Sequence, residues 1–174
     1  IKPSLLPNFL CINLVNSNSL LHTSRLFSLG NQQDKFNKIP LFYGDWDENS
    51  SKLFIEADNE LFNLFDQIKN IDFSCMTKVL DHYQSKDSLE LTQKIKSIKS
   101  LNKIKTPCIK KNDLYELDIT SRYFTEDFPY GISLISLIAK RYGVSTPTID
   151  KISDWGLKKL CMNFDQVKLL YLDK

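Results

Sequence analysis

The segment RYFTEDFPYG, at residues 122–131, sets Arg122 five residues before Asp127 at the predicted start of a helix. Further along, the segment GVSTPTID at residues 143–150 predicts the end of that helix and the start of the next, because glycine favours the position after a helix and proline the first turn of one. A guanidinium can bind a carboxylate through two parallel hydrogen bonds, so the arrangement suits an anionic substrate. An inert ion pair at a helix start is the alternative interpretation.

Cap residues followed by apolar positions at helical spacing predict helix over most of the chain. The predicted helices begin after residues 16–18, at Ser50 or Ser51, near Ser74, at Asp87 or Ser88, near Thr125 or Glu126, at Thr146 and near Asp165. Residues 35–49 are predicted as a loop, and residues 106–120 as an extended connection without strand pairs. The sequence therefore predicts an all-α bundle of about six or seven helices, with residues 1–174 as a single helical domain.

Composition argues against several classes of function. A chain of 174 residues with 42% hydrophobic and 25% charged residues is large enough for a core and too apolar for wholesale disorder. A net charge of +2 argues against nucleic acid or an anionic membrane as a partner. Seven lysines lie between residues 94 and 111 without an acidic or aromatic residue among them, and they are predicted to form a solvated face.

The cysteines and glycines offer no pattern for a metal or a phosphate group. Cys11, Cys75, Cys108 and Cys161 are scattered without metal-ligand spacing and are predicted to be small buried thiols of a cytosolic protein. The chain has five glycines, and none of them forms a GxGxxG or P-loop cluster. Because the chain begins at Ile1 rather than Met, we expect a processed product or a piece of a longer protein.

The two histidines are the candidates for proton transfer near neutral pH. His82 lies in a charged, polar context near a predicted helix end, and we expect it to be exposed. His22 follows Asn18 by four residues, so the two side chains share one face of a helix. A histidine that merely packs within its helix is the alternative interpretation of His22.

Several of these features follow one another in a recognisable order. They are the pair Asn18-x-x-x-His22, the aromatic loop Phe42-Tyr43-Gly44, the acidic motif Asp58-Asn59-Glu60, the segment Arg122-Tyr123-x-x-Glu126-Asp127 and the element Gly143-x-x-Thr146-Pro147. Over residues 16–152 the chain thereby resembles the C-terminal helical domain of the octopine/nopaline (opine) dehydrogenases. The run at residues 122–131 is the most specific part of this resemblance, and the acidic motif is the least specific.

The resemblance implies an all-α bundle similar to the C-terminal-domain-like fold of 6-phosphogluconate dehydrogenase, with His22, Arg122 and Asp127 in the active site. His22 would be the general acid–base, and Asp127 would fix its tautomer. Arg122 would bind the carboxylate of a 2-oxo acid, and Asn18 would contact the substrate or the nicotinamide. We therefore predict that His22 and Asp127 lie within hydrogen-bond reach although they are far apart in sequence.

The resemblance also implies a reaction. Opine dehydrogenases join the amine of an amino acid to a 2-oxo acid such as pyruvate, and they reduce the resulting imine with NADH or NADPH. In the family an N-terminal Rossmann domain binds most of the cofactor, and its glycine fingerprint is absent from this chain. The chain alone is therefore expected to be inactive and to work in the cytoplasm with its own Rossmann domain. A homodimer is compatible with this expectation, and neither nucleic acid nor a membrane is expected as a partner.

Two residues depart from the family pattern, namely Thr23, where proline is frequent, and Phe128, where a smaller β-branched residue is usual. Two other functions stay open at this point. A non-catalytic helical module derived from this fold would use Phe42, Tyr43 and Trp46 as a partner-binding patch, since aromatic residues are enriched at interfaces. A helical-domain dehydrogenase acting on hydroxy acids would be expected to carry a lysine, rather than a histidine, as its acid–base.

Overall fold

Two long helices, α2 and α3, pack against each other at the centre of the computed structural model, which describes residues 6–14 and 17–172. The helices are α1 (Phe9–Leu14), α2 (Asn18–Gln32), α3 (Glu48–Gln67), α4 (Val79–His82), α5 (Ser88–Ser97), α6 (Arg122–Thr125), α7 (Ser133–Arg141), α8 (Pro147–Lys159) and α9 (Phe164–Leu172). Strands β1 (Cys108–Lys111) and β2 (Leu114–Leu117) lie between α5 and α6, and a π-helical turn, Phe128–Ile132, joins α6 to α7. The predicted helical fold is confirmed, with the two strands as an addition.

Helix α2 is buried on every face. Residues 20–29 of this helix are all buried, and it contacts α3, α8 and the π-helical turn. Of the predicted cap residues 16–18, residue 16 lies outside the described part of the chain. A polar side chain on such a helix must find partners within the protein, because an unpaired buried polar group costs about 1–3 kcal/mol. His22 and Arg25 both meet this requirement by binding segments that are distant in sequence.

Helix α3 begins at Glu48, so the predicted start at Ser50 or Ser51 is wrong. The cap is Asp47, whose side chain accepts a hydrogen bond from the Ser50 backbone N–H at 2.7 Å. The two serines lie inside the first turn and are buried. The Ser51 hydroxyl there accepts a hydrogen bond from the Trp46 indole N–H at 2.9 Å.

The loop before α3 is found where it was predicted, but its aromatic side chains point inward. Phe42, Tyr43 and Trp46 are all buried, and the Phe42 N–H donates to the Ile104 carbonyl oxygen at 2.7 Å. The interpretation of these three residues as an exposed partner-binding patch is therefore wrong. Phe42 and Tyr43 instead contact His22 in the site described below, and Trp46 packs against these two rings.

The connection predicted for residues 106–120 contains an antiparallel hairpin, so the prediction of no strand pair is wrong. Cys108 pairs with Leu117 and Lys111 with Leu114. Asn112, at the tip, has a positive φ of 54°, which suits a two-residue hairpin turn. The residues of β1 and β2 are half-buried or exposed, so the strands lack the apolar alternation that predicts a strand.

Helical structure after Ser121 begins at Arg122, earlier than the predicted start near Thr125 or Glu126. The chain then enters the π-helical turn, in which the Ile132 N–H donates to the Asp127 carbonyl oxygen at 2.9 Å. Pro129 lies within this turn and has no N–H to give. A π-turn is an unusual element that is frequently found at functional sites, and here it begins directly after Asp127.

The acidic motif of α3 caps two other helices. The Glu60 carboxylate accepts hydrogen bonds from the backbone N–H groups of Thr148 at 2.8 Å and Ile149 at 2.9 Å, in the first turn of α8. The Asp58 carboxylate accepts one from Val79 at 2.9 Å, where α4 begins. Helix α4 was predicted to begin near Ser74. It begins later, at Val79, where the Asp58 side chain of α3 binds its first N–H group.

The predicted junction between α7 and α8 is confirmed. Gly143 follows the end of α7 with a φ of 68°, a backbone conformation that glycine adopts without steric cost. Thr146 is the N-cap residue of α8 and Pro147 its first residue. The Thr146 side chain makes no capping hydrogen bond there, and Glu60 takes that role.

The predicted exposure of the lysines is confirmed, whereas the predicted burial of the cysteines is mostly wrong. All seven lysines of residues 94–111 are exposed, as is His82. Cys11 is buried, Cys75 and Cys108 are half-buried and Cys161 is exposed, so the prediction of small buried thiols holds for Cys11 alone. Within the described residues, no helix combines the length and apolar character that crossing a bilayer would require.

Candidate functional site

His22 and Asp127 form a hydrogen-bonded pair between α2 and the start of the π-helical turn. The distance from His22 Nδ1 to Asp127 Oδ2 is 2.8 Å, and the two side chains are 9% and 20% exposed. The predicted contact between these residues, which are 105 positions apart, is therefore confirmed. An ionised carboxylate can only accept, so His22 Nδ1 carries the proton of this bond.

The other ring nitrogen of His22 is also engaged. Its Nε2 lies 3.1 Å from the Tyr43 hydroxyl oxygen. With Nδ1 protonated, Nε2 of neutral His22 accepts the Tyr43 proton, whereas Nε2–H of charged His22 donates to the Tyr43 oxygen. The imidazole is thus held at both ends, by a carboxylate on one side and a phenol on the other.

Two aromatic rings pack against the imidazole of His22. Tyr123 stacks on His22 with ring centroids 4.2 Å apart and an angle of 26° between the ring planes. Phe42 meets His22 edge-on at 5.5 Å. Tyr123 and Asp127 are four residues apart, so one segment supplies both the stacking ring and the carboxylate partner of His22.

Both tyrosines of the site stay protonated near neutral pH. Burial, assisted by the neighbouring Tyr123, raises the pKa of Tyr43 well above its usual value. Burial also raises the pKa of Tyr123. Tyr43 therefore faces His22 as a hydroxyl that can donate as well as accept.

A buried arginine fixes the loop that carries Tyr43. Arg25 is 1% exposed and lies three residues after His22 on α2. Its Nε donates to the Phe42 carbonyl oxygen at 3.0 Å and its Nη2 to the Asp45 carbonyl oxygen at 2.6 Å. Its Nη1 donates to the Asp47 carboxylate, also at 3.0 Å. The arginine and the histidine of one helix face thus hold the same loop.

Close packing brings the Asp127 segment up to α2. A side-chain carbon at Gly131 would overlap Ser19 Oγ and lie only 2.7 Å from Ser19 Cβ. Glycine is therefore needed where the π-helical turn crosses the first turn of α2. A cavity of about 210 Å³ borders this crossing and is lined by Ser19, Asp58 and Tyr83, among other residues.

Arg122 lies at the surface near the pair and is bound to Glu126. Its side chain is 84% exposed, and it donates two hydrogen bonds to the Glu126 carboxylate, from Nε at 2.8 Å and from Nη2 at 2.9 Å. The alternative interpretation, an inert ion pair between Arg122 and Asp127, is therefore wrong, because Asp127 binds His22. The guanidinium already adopts the two-pronged geometry with which it would grip a substrate carboxylate.

Asn18 is the fourth residue predicted for the site. It is the first residue of α2, one helical turn before His22, and it is exposed. The structure thus brings His22 and Asp127 into direct contact and places Asn18 and Arg122 at exposed positions of the same two segments.

Sequence reasoning missed three residues of this site, namely Tyr43, Tyr123 and Arg25. Tyr43 and Tyr123 both stood in motifs that were noticed for other reasons. The signal for Arg25 was a single Arg in the middle of a helix that has no other Lys, Arg, Asp or Glu. No sequence pattern shows that Tyr43 meets His22, since that contact depends on how the loop folds back.

Comparisons with known proteins agree with this fold. The model of the NAD/NADP octopine/nopaline dehydrogenase family, α-helical domain, matches residues 5–160. The chain therefore belongs to this family, as the resemblance of its motifs predicted.

Two curated relatives show how much of such a protein the chain represents. The chain is 27% identical over 164 residues to the tauropine dehydrogenase of Arabella iricolor, a match that covers 87% of the chain and 41% of the relative. It is 26% identical over 159 residues to the octopine dehydrogenase of Pecten maximus, covering 84% and 40%. The chain thus spans about two fifths of the length of these relatives.

Solved structures of octopine dehydrogenase share the fold. A complex with NADH and agmatine superposes with a TM-score of 0.78 at 24% identity and covers 91% of this chain and 42% of the other. A complex with NADH and pyruvate gives 0.75 at 26% identity, with 90% and 40% covered.

Proposed function

We propose that this chain is the substrate-binding and catalytic domain of an opine dehydrogenase, an enzyme that joins the amine of an amino acid to a 2-oxo acid such as pyruvate with NADH or NADPH as reductant. The observation that supports this proposal most strongly is the hydrogen bond between His22 and Asp127, whose side chains are both mostly buried. A packing histidine needs no carboxylate partner, whereas a general acid–base gains orientation and charge stabilisation from one.

His22 would exchange protons with the oxygen and nitrogen atoms of the condensing substrates. Formation of an imine requires proton transfer to the carbonyl oxygen and the later loss of that oxygen as water. Histidine suits this task because it changes charge between pH 5 and 8. Asp127 would keep Nδ1 protonated and stabilise the positive charge when His22 holds a second proton.

Arg122 would bind the carboxylate of the 2-oxo acid. Its planar guanidinium matches a carboxylate through two parallel hydrogen bonds, and Glu126 occupies that position now. Because this pair is exposed, exchanging Glu126 for a substrate carboxylate costs little. Asn18, on the neighbouring turn of α2, would contact the substrate or the nicotinamide.

The cofactor would be held mainly by a Rossmann domain outside this chain. Gly30, Gly44, Gly131 and Gly156 each pack closely against a side chain or a carbonyl group, so none of them offers an open backbone for a pyrophosphate. Octopine dehydrogenase structures contain NADH, and this chain covers about two fifths of them. Bound NADH or NADPH would supply the hydride that reduces the imine.

The first experiment tests the reaction itself. We expect the protein that joins this chain to its nucleotide-binding domain to oxidise NADH or NADPH only when pyruvate and an amino acid are both present. The amino acids to screen should include arginine, since one octopine dehydrogenase structure holds L-arginine. The 174-residue chain alone should show no turnover. Oxidation by the isolated chain, or oxidation that needs pyruvate but no amine, would contradict the proposal.

A further inference from the structure

We infer that Tyr43 is a further catalytic residue, whose hydroxyl carries the proton between His22 and the substrate. This inference rests on the proposed function. It starts from the fact that protein atoms bind both imidazole nitrogens, with Asp127 at Nδ1 and Tyr43 at Nε2. A histidine held in this way can exchange a proton with a substrate only through one of its two partners, or after one of them moves away.

Asp127 is unsuited to pass the proton on. An ionised carboxylate only accepts hydrogen bonds, and its role beside an imidazole is to orient the ring and balance its charge. A hydroxyl, in contrast, can accept a proton from Nε2 while it releases its own. Tyr43 has this ability at neutral pH, because burial keeps its pKa high and the hydroxyl protonated.

The loop geometry argues against a Tyr43 side chain that swings aside. The peptide groups around it are tied to Arg25 through the carbonyl oxygens of Phe42 and Asp45. Its ring stacks parallel to that of Trp46, with centroids 6.4 Å apart and an angle of 9°. The next residue, Gly44, packs so tightly that a side-chain carbon would overlap the Asn102 carbonyl oxygen. Because Tyr43 is held on these sides, it is placed to transmit protons rather than to move away and expose Nε2 of His22 to the substrate.

The proton transfer balances in the condensation step. The amine nitrogen forms a bond to the carbonyl carbon, the C=O π bond breaks, and its electron pair moves to the oxygen. That oxygen takes the Tyr43 proton, Tyr43 takes the Nε2 proton of charged His22, and His22 is left neutral. The new ammonium nitrogen then returns one proton through Tyr43 to His22, and this proton later leaves with the hydroxyl as water.

The test is Tyr43→Phe in the protein that includes the nucleotide-binding domain, beside wild type and Tyr142→Phe. The Phe variant keeps the buried ring, and Tyr142 is an exposed tyrosine at the end of α7. We expect kcat to fall by about 100-fold or more, the scale of a lost acid–base step, with KM changed less than about threefold. Tyr142→Phe should match wild type.

Single-turnover rates in mixtures of H₂O and D₂O separate a relay from a merely structural effect. Two protons in flight give the wild type a curved dependence on the deuterium fraction, and Tyr43→Phe should give a straight line. A straight line for wild type, or an unchanged or higher kcat for Tyr43→Phe, would overturn the relay while leaving the proposed function intact. An inactive wild type would refute the proposed function, and the relay with it.

Discussion

Arg25 illustrates how one residue can shape a site without touching the reacting atoms. Its guanidinium is buried, and its nitrogens donate to Leu41, Phe42, Asp45, Asp47 and Ser50. Burying a charge is costly unless it is fully hydrogen-bonded, and this network meets that condition. A lysine offers a single point charge and could not reproduce the planar fork. The position of Tyr43 against His22 follows from this arrangement.

Asp58 is a second residue with a testable role, because its pKa makes the stability of the fold depend on pH. Burial raises its pKa to about 6, although the hydrogen bond from Val79 and the charge of Lys78 act in the opposite direction. Because the folded state holds this proton more tightly than the unfolded state, Asp58 lowers the free energy of unfolding as pH rises from about 4 to about 6. At pH 7 the loss is on the order of 2–3 kcal/mol.

Asp58→Asn should remove this loss while keeping an oxygen for the Val79 N–H. We expect the variant to gain stability over the wild type as pH rises from about 4 to 7, measured by urea unfolding of both proteins at each pH. Lys78→Met removes the nearby charge and leaves the carboxyl, so it should keep or deepen the loss of stability between pH 4 and 7. A stability difference that stays constant across this pH range would show that Asp58 is not the titrating group.

At the scale of elements, Glu60 links α3 to α8, because it caps the N-terminus of α8. It binds two backbone N–H groups of that helix from a buried position on α3. Glu60→Ala should lower the free energy of unfolding by about 1–3 kcal/mol, because it leaves the half-buried N–H of Thr148 and the buried N–H of Ile149 without this acceptor. The exposed Glu56→Ala, one turn earlier on α3, should change it by less than about 0.5 kcal/mol. Equal effects of the two variants in thermal or urea unfolding would contradict this role.

The contact between the π-helical turn and α8 explains the departure at Phe128. The Phe128 ring is fully buried, and it packs on Gly156 so closely that a side-chain carbon there would overlap it. Gly156→Ala should therefore destabilise the protein by about 1–3 kcal/mol through overpacking.

In Phe128→Val the smaller side chain leaves room for the added methyl group. Adding Gly156→Ala to this variant should then cost clearly less than adding it to the wild type, and a double-mutant cycle of unfolding free energies measures the difference. Strict additivity of the two substitutions would show that the residues do not compete for the same space.

Several element boundaries that local chemistry sets were predictable, although the start of α3 at its local cap, Asp47, was missed. Gly143, Pro147 and Asp87 mark helix ends or starts by their own backbone preferences or side chains, and the structure agrees. Boundaries set from a distance were missed. Helix α4 begins where Asp58 reaches it, and the hairpin forms in a segment without apolar alternation. The sequence offers no local sign of either.

At the scale of the whole molecule, the site exists because two distant segments, residues 35–47 and residues 122–127, meet on α2. The contact between His22 and Asp127 was predictable because both residues belong to motifs of a known family. Tyr43 and Arg25 could not be placed in the same way, since their contacts depend on the path of residues 35–47 across α2. The binding partner of Arg122 also depends on helix geometry, which puts Glu126 one turn away on the same face.

We propose that the His22–Asp127 pair performs acid–base chemistry on an amino acid and a 2-oxo acid. The most direct test is the rate of NAD(P)H oxidation by the protein with its nucleotide-binding domain, with pyruvate and amino acids, in wild type and in His22→Ala. We predict activity that needs both substrates and that falls by about a hundredfold or more in the variant, the scale of a lost general acid–base. A folded, nucleotide-binding wild type without activity, or a His22→Ala variant as fast as wild type, would contradict the claim.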